Sequence, residues 1–166
     1  GGCTASQKDI MKQLMRGYSV TTFMDGIHGM FAGSSPDVDR LFVAQRKGLV
    51  KIALRTGVPL VPCYCFGQSK LVRTGQDPFG LMMWLSRALR VSLVLPVGRW
   101  FLPIPFRTPC TMVFGRPILV EKVADDATLD PSQVNELHAL FLKETVALFE
   151  RYKDVCGYDG KHIEIM

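Results

Sequence analysis

The segment over residues 45–68 joins a basic helix, a glycine stop and an apolar strand in one continuous unit. Three cations recur every four residues in its first half and share one helix face: Lys47, Lys51 and Arg55. Gly57 is predicted to end this helix, because glycine commonly follows the last helical turn. Residues 58–66 are apolar apart from prolines and cysteines and do not alternate with polar residues. We therefore expect a strand that is covered on both faces.

Composition narrows the classes of protein that this chain can represent. Its 166 residues suffice for one domain with a sizeable core, and we take residues 1–166 as part of a single domain. A hydrophobic share of 48% and a net charge of +5 suit a protein that meets anionic, apolar surfaces. Nucleic acid is not the expected partner, because the cations are dispersed and no zinc-finger or ribonucleoprotein signature is present.

No segment has the roughly 20 uncharged apolar residues of a membrane-spanning helix. The most hydrophobic region is interrupted by arginines at three positions: Arg87, Arg90 and Arg99. The chain begins with Gly-Gly-Cys, which indicates a cut into a longer protein. We therefore expect any membrane anchor to precede residue 1.

Helix caps and apolar periodicity predict the remaining elements. A first helix should begin after the N-cap Ser6, with Asp9 in the capping-box position, and end at Gly17. A last helix should begin after Asp130, with Pro131 in its first turn and Gln133 completing a capping box. Its apolar face comprises five positions: Val134, Leu137, Phe141, Leu148 and Tyr152. Further strands are expected over residues 18–24, 40–44 and 111–114, and a helix over residues 81–89.

Between residues 91 and 106, several prolines and two aromatic residues predict an irregular apolar loop with at most one short strand. Trp100 and Phe101 in this loop suit either core packing or a membrane-facing surface, as do the apolar residues at 81–84. The alternation of helices and strands favours an α/β sandwich around a mixed or mostly parallel sheet. No metal site is predicted, because Cys63 and Cys65 share a strand face without a second ligand pair at suitable spacing.

Several motifs of the chain resemble the C-terminal part of the type-2 diacylglycerol acyltransferase family, particularly its plant and algal members. Four segments carry the resemblance: RKGLVKIA at residues 46–53, LVPCYCFGQ at 60–68, GRPI at 115–118, and LFERYK with GYD at 148–159. The resemblance implies a glycerophosphate-acyltransferase-like α/β sandwich, of which this chain lacks the N-terminal part. It also implies an enzyme of the endoplasmic reticulum membrane or the lipid droplet.

The activity that the resemblance implies is transfer of a fatty acyl group from acyl-CoA to diacylglycerol, which makes triacylglycerol. Acyl-CoA and diacylglycerol are then substrates, membrane lipid is a partner, and no cofactor is required. The related activities toward monoacylglycerol or a long-chain alcohol share these motifs and stay open. The substrate-binding residues that the resemblance and the basic helix indicate are five: Arg46, Lys47, Gly48, Lys51 and Gln68.

The chain departs from the family pattern in two places. The family's His-Pro-His-Gly motif, whose histidine is expected to deprotonate the acceptor hydroxyl, is absent here and is expected upstream. In residues 23–31, Met24 and Asp25 replace Pro-Gly, and Gly29 stands where a glutamate is typical. Asp25 or His28 are the candidate catalytic residues within this chain. A non-catalytic protein that binds acyl-CoA or lipid is the alternative that these departures motivate.

Two further histidines and the basic helix have simpler interpretations. His138 lies between apolar residues of the last helix, where a packing role is expected. His162 lies in a tail that we expect to be frayed. The cations of the basic helix suit the phosphates of coenzyme A, whereas periodicity alone favours a solvated helix face. The chain alone is expected to be inactive.

Overall fold

The computed structural model describes the chain over residues 6–22, 38–71, 73–74, 84, 96–102, 104–124 and 128–166. Two predicted features lie wholly or largely outside these ranges. They are the segment with Asp25 and His28, and the helix over residues 81–89 apart from residue 84. Residues 18–22 are described and contain no strand, so the predicted strand there is wrong over those positions.

Helix α1 spans Gln7–Met15, and Ser6 is its N-cap as predicted. The Ser6 hydroxyl accepts the backbone N–H of Asp9 at 3.2 Å and donates to Asp9 Oδ2 at 2.8 Å. The first bond satisfies an N–H group that a helix N-terminus otherwise leaves unpaired, and the second holds the Ser6 hydroxyl in place. The helix ends at Met15, two residues before Gly17.

Helix α2 spans Gly48–Thr56, and Gly57 ends it in a left-handed conformation with φ +70°, as predicted. The apolar side of the helix is fully packed, with four buried residues: Val50, Ile52, Ala53 and Leu54. Most of this side contacts the beginning of helix α3, which spans Pro131–Tyr152. The two helices therefore share one hydrophobic cluster.

Helix α3 presents the predicted apolar face to the core. Three of the five predicted positions are buried and the other two are half-buried, as the spacing requires. Asp130 is the N-cap, and its carboxylate accepts the N–H of Ser132 at 3.0 Å, one position earlier than the capping box with Gln133 predicts. The Ser132 hydroxyl also donates to this carboxylate at 2.6 Å.

Strand β2 spans Cys63–Phe66, and an isolated bridge joins Leu60 to Ile118 just before it. The expectation of a strand covered on both faces is wrong for the described residues, because burial alternates along it. Tyr64 and Phe66 are buried beneath α3, whereas Val61 is 42% exposed. Cys63 and Cys65 are half-buried, because no element in the described ranges covers that side.

Strand β5, Thr111–Phe114, pairs antiparallel with β2 and confirms the strand predicted there. Strand β1 spans Val38–Leu41, two residues earlier than the predicted strand over 40–44 begins. It pairs in parallel with β6, His162–Ile165. The tail is therefore an ordered strand, and the expectation that it is frayed is wrong.

Two short strands, β3 at Arg73–Thr74 and β4 at Pro96–Val97, pair with each other. Strand β4 is the one short strand expected in the apolar loop. Within the described ranges the strands form three separate two-stranded sheets, one parallel and two antiparallel. The chain is thus mixed helix and strand, and the predicted sandwich around a single sheet stays a prediction. Among the described helices, none is both long and apolar enough to cross a bilayer.

Four buried aromatic rings connect β2, α3 and the segment before β6. They belong to Tyr64, Phe66, Phe149 and Tyr158. Phe149 contacts the other three, at centroid distances of 5.0 Å, 5.6 Å and 6.5 Å from Tyr64, Phe66 and Tyr158. We call this group the aromatic cluster. Its geometry is mostly edge-to-face, which aromatic quadrupoles favour.

Candidate functional site

The N-terminal end of α2 brings together four of the five predicted substrate-binding residues. Arg46 and Lys47 precede the helix, Gly48 is its first residue, and Lys51 lies one turn later. Lys47 is the N-cap, and its side chain does not cap the helix. A helix N-terminus with cations beside it favours an anion.

Two cations of the basic face are bound to other parts of the chain. The Lys47 ammonium donates to Asn135 Oδ1 on α3 at 2.7 Å, and an Arg55 guanidinium nitrogen donates to the Ala124 carbonyl at 3.2 Å. Sequence periodicity grouped Lys47, Lys51 and Arg55 as equals. In the structure, Lys47 and Arg55 also fasten α2 to the C-terminal half of the chain.

Arg46 and Lys51 differ from those two cations. Both are exposed, and within the described part of the chain neither has an ion pair or side-chain hydrogen bond. Their charges are available for a ligand without the loss of an existing contact. A Cβ added at Gly48 would meet Gln7 Nε2 at 3.6 Å, an ordinary contact, so the described neighbours do not require glycine there.

His138 lies behind this helix end, and it is 4% exposed, as its packing role predicts. One ring nitrogen donates to the Val43 backbone carbonyl. Because Nε2 is buried without a hydrogen-bond partner in the described residues, Nδ1 is the donor and Nε2 carries the lone pair. Burial lowers the pKa of His138, the hydrogen bond to Val43 opposes this effect, and the nearby Lys47 charge lowers the pKa further.

The lowered pKa of His138 predicts a stability that falls in mild acid. The unfolded chain takes up a proton near the ordinary histidine pKa of 6.5, whereas the folded chain resists protonation until lower pH. The unfolding free energy should therefore decrease as pH falls from about 7.5 to about 5.5. His138→Leu should flatten this dependence and change the neutral-pH stability by about 1 kcal/mol or less. Urea titrations across this range measure both effects, and an unchanged slope in the variant would contradict the assignment.

The cysteines near β2 are poorly suited to act as nucleophiles. Burial raises the pKa of the Cys63 thiol. Burial, followed by the neighbouring Cys110 thiol, raises the pKa of Cys65. Thiols with raised pKa values stay protonated at neutral pH and react weakly. Over the described ranges, no group of three potential metal ligands occurs either.

Gln68, the fifth predicted binding residue, lies in a different element from the other four. It begins a 3-10 turn, Gln68–Lys70, directly after β2 and is exposed. That turn is fixed to the aromatic cluster, because the N–H of Gly67 donates to Tyr158 Oη at 2.7 Å. The ammonium groups of Lys70 and Lys161 lie 4.4 Å and 4.9 Å from the centroid of the Tyr158 ring. No contact in the described residues joins Gln68 to the end of α2.

Sequence reasoning missed two polar pairs that organise these surroundings. Asn135 was not predicted as the partner of Lys47. Tyr64 was read only as part of an apolar strand, yet its hydroxyl donates to the buried Asp39 carboxylate on β1 at 2.6 Å. Their partners lie 88 and 25 residues away, respectively, so periodicity contains no signal for them. The candidate catalytic residues Asp25 and His28 lie outside the described residues.

Comparison with known proteins identifies the class. A sequence model described as diacylglycerol acyltransferase matches residues 1–165. The chain belongs to this family, which confirms the resemblance seen in its motifs, and it is related to acyltransferases. No solved structure matches the chain.

Three relatives illustrate the range of the family. The chain is 29% identical to diacylglycerol O-acyltransferase 1 of Eremothecium gossypii, over 99% of the chain and 38% of that protein. It is 33% identical to 2-acylglycerol O-acyltransferase 3 of Homo sapiens, over 95% of the chain and 49% of the relative. It is 27% identical to diacylglycerol O-acyltransferase 2B of Umbelopsis ramanniana, over 75% of the chain and 39% of that protein. The chain therefore spans half or less of the length of these relatives.

Proposed function

We propose that the protein transfers a fatty acyl group from acyl-CoA to the free hydroxyl of diacylglycerol, forming triacylglycerol and releasing coenzyme A. The observation that carries the proposal is the family match across residues 1–165, which includes the basic end of α2. Two relatives that the chain matches are themselves named diacylglycerol O-acyltransferases. The predicted sandwich fold and a location at the endoplasmic reticulum membrane or lipid droplet belong to the same proposal.

The end of α2 is proposed to hold the phosphates of coenzyme A. Phosphate oxygens accept strong hydrogen bonds from cationic side chains and from the free N–H groups of a helix N-terminus. Arg46 and Lys51 supply charge that is uncommitted among the described residues, and Lys47 keeps two further N–H donors beyond its bond to Asn135. This arrangement positions the donor substrate and does not itself perform proton transfer.

The acyl transfer step requires a general base at the acceptor hydroxyl and hydrogen-bond donors for the tetrahedral oxyanion. His138 is buried against Val43, and His162 lies in β6, 3.8 Å from Glu164 and exposed. Neither is in a His-Pro-His-Gly motif. We therefore propose that the base is the histidine of the family motif, ahead of residue 1, with His28 or Asp25 as the candidates within this chain.

The test is transfer of radiolabelled acyl groups from acyl-CoA to diacylglycerol in membranes of a host that lacks triacylglycerol synthesis. The full-length protein should form labelled triacylglycerol, and residues 1–166 alone should not. No product from either form would favour a non-catalytic protein that binds acyl-CoA or lipid. Product from the short form would contradict the proposed upstream base.

Removal of the two uncommitted charges should weaken donor binding. In the full-length protein, the double variant Arg46→Gln with Lys51→Gln is expected to raise the KM for acyl-CoA about tenfold, or ~1.4 kcal/mol, with a smaller change in kcat. A matched control is Lys143→Gln with Arg151→Gln, which removes two exposed cations from α3. Steady-state rates at varied acyl-CoA measure the effect. Equal KM values for both double variants would exclude a phosphate site at α2.

Transfer to a monoacylglycerol is the second candidate activity, because two matched relatives are named 2-acylglycerol O-acyltransferases. The same assay distinguishes the acceptors when diacylglycerol, 2-monoacylglycerol and a long-chain alcohol are supplied separately. The acceptor with the highest kcat/KM identifies the preferred activity.

A further inference from the structure

The segment over residues 98–107 presents apolar side chains to the surroundings. Trp100 is 71% exposed, Leu102 is 50% exposed and Ile104 is 39% exposed. Trp100 lies in a 3-10 turn, Arg99–Phe101, that follows the short strand β4. We call this segment the tryptophan loop. Large apolar side chains clustered on a surface typically mark a site of interaction.

Three backbone N–H groups of the tryptophan loop donate to carbonyls of the same loop. The N–H of Gly98 donates to the Leu102 carbonyl and the N–H of Arg99 donates to the Ile104 carbonyl, both at 2.8 Å. The N–H of Leu102 donates to the Arg99 carbonyl at 3.1 Å. Residues 103 and 105 are prolines and carry no N–H. These bonds and the two prolines reduce the number of unpaired donors that burial of the loop in an apolar environment would leave, and unpaired donors are the main cost of burying backbone in lipid.

The loop also holds its tryptophan in a strained, outward position. Trp100 has φ +55°, a left-handed conformation that is uncommon for a bulky residue and costs about 1–3 kcal/mol. The guanidinium carbon of Arg99 lies 4.3 Å from the centroid of the Trp100 ring. An indole with an adjacent cation matches the headgroup level of a bilayer, where the ring is half-buried and the charge meets phosphate.

The sequence on either side of the loop carries charge of one sign. Residues 78–120 contain five arginines and no aspartate or glutamate. Two of these arginines, Arg99 and Arg107, flank the exposed apolar side chains of the loop. Such a distribution favours an anionic partner, because each cation near an anionic membrane contributes about 1 kcal/mol to binding.

We propose that the tryptophan loop inserts into the interface of an anionic lipid bilayer, with Trp100 and Leu102 at the acyl boundary and Arg99 and Arg107 at the phosphates. The inference rests on the proposed function, since an enzyme that acylates diacylglycerol meets its acceptor in a membrane. A second copy of the chain fits less well. A symmetric contact through this loop would bring two arginine-bearing surfaces together with no acidic residue among residues 98–107 to pair them, and like charges across an interface disfavour association.

The test uses the full chain with Trp84→Phe, which leaves Trp100 as the single tryptophan of the 166 residues. Vesicles of phosphatidylcholine and phosphatidylserine carry brominated acyl chains, which quench tryptophan only at close approach. We expect strong quenching of Trp100, corresponding to insertion of about 5–10 Å. A matched reporter is Val155→Trp in the Trp84→Phe, Trp100→Phe background, because Val155 is 86% exposed and lies outside the tryptophan loop. That reporter should stay unquenched.

The outcomes are separable from those of the acyl transfer assay, because quenching requires no catalysis. Unquenched Trp100 in protein that cosediments with the vesicles would overturn the proposal, even if triacylglycerol forms. Equal quenching of both reporters would also overturn it. Shielding of Trp100 that depends on protein concentration without vesicles would indicate a self-contact instead. Quenching of Trp100 together with no transfer activity in the full-length protein would support insertion of the tryptophan loop and count against the proposed function.

The arginines provide an independent check on the electrostatic part of the proposal. Arg99→Gln and Arg107→Gln should each weaken binding of the anionic vesicles by roughly fivefold and leave binding of pure phosphatidylcholine vesicles nearly unchanged. Raised salt should weaken binding of the unaltered loop in the same direction. Equal binding of both vesicle types before and after the substitutions would contradict an anionic partner.

Discussion

Gly67→Ala is expected to lower the unfolding free energy by about 3 kcal/mol or more. This loss should be among the largest that the addition of one methyl group causes in this chain. Gly67 follows β2 with φ +90°, a conformation that costs an L-residue free energy. An added Cβ would lie 2.1 Å from the Pro109 carbonyl oxygen, which is backbone and cannot simply rotate away. The N–H of Gly67 also donates to Tyr158 Oη, so movement of the turn breaks this buried bond.

Gly157→Ala is the matched control, because it separates the conformational cost from the clash. Gly157 has φ +69°, and a Cβ there meets no atom within 4 Å. Its substitution should cost only about 1 kcal/mol. Urea unfolding of the full chain, followed by circular dichroism, measures both variants. Equal losses of stability would show that the turn at Gly67 moves freely and that the contact with Pro109 has no energetic consequence.

The sequence predicts those parts of this fold whose physical cause lies within one helical turn. The Ser6 hydroxyl bonds both the backbone N–H and the carboxylate of Asp9, three residues away. Gly57 ends α2 because its own backbone adopts the left-handed conformation. The apolar face of α3 follows from the 3.6-residue period. In each case the residues that decide the structure are neighbours in the sequence, so their pattern is visible there.

Burial of β2 shows where this reasoning fails. Its residues are nearly all apolar, and such a run cannot reveal whether one or both faces are covered. The structure places Tyr64 and Phe66 under α3 and leaves Val61 exposed. The covering element lies more than 60 residues further along the chain. Sequence patterns indicate how a strand alternates, whereas the elements that pack against it depend on tertiary contacts.

The candidate site likewise has one feature that the sequence predicts and one that it does not. The grouping of Lys47 and Lys51 follows from helix geometry, and the family resemblance adds Arg46. Which of these cations is uncommitted was not predictable, because Lys47 finds its partner Asn135 across 88 residues. That difference determines the experiment, since removal of Lys47 would alter both a ligand contact and the packing of α2 on α3. Arg46 and Lys51 therefore test the phosphate site with less structural disturbance.

Phe149→Ala is expected to destabilise the chain by about 3–5 kcal/mol. Its side chain is fully buried at the centre of the aromatic cluster, in contact with three other rings. The cost should lie near the upper end, because the surrounding rings are not free to fill the cavity. The Tyr64 hydroxyl is bonded to Asp39 and the Tyr158 hydroxyl to the N–H of Gly67.

These hydrogen bonds make the prediction for Phe149 specific to this cluster. A collapse that filled the cavity would have to break one of them, and a buried partner left unpaired costs about 1–3 kcal/mol. Leu140→Ala is the control, because Leu140 is 42% exposed on the same helix and should lose about 0.5 kcal/mol or little more. Denaturant titration of both variants measures the difference. A loss below about 2 kcal/mol for Phe149→Ala would mean that the rings rearrange easily, and that the two hydroxyl bonds do not fix the cluster or the turn at Gly67.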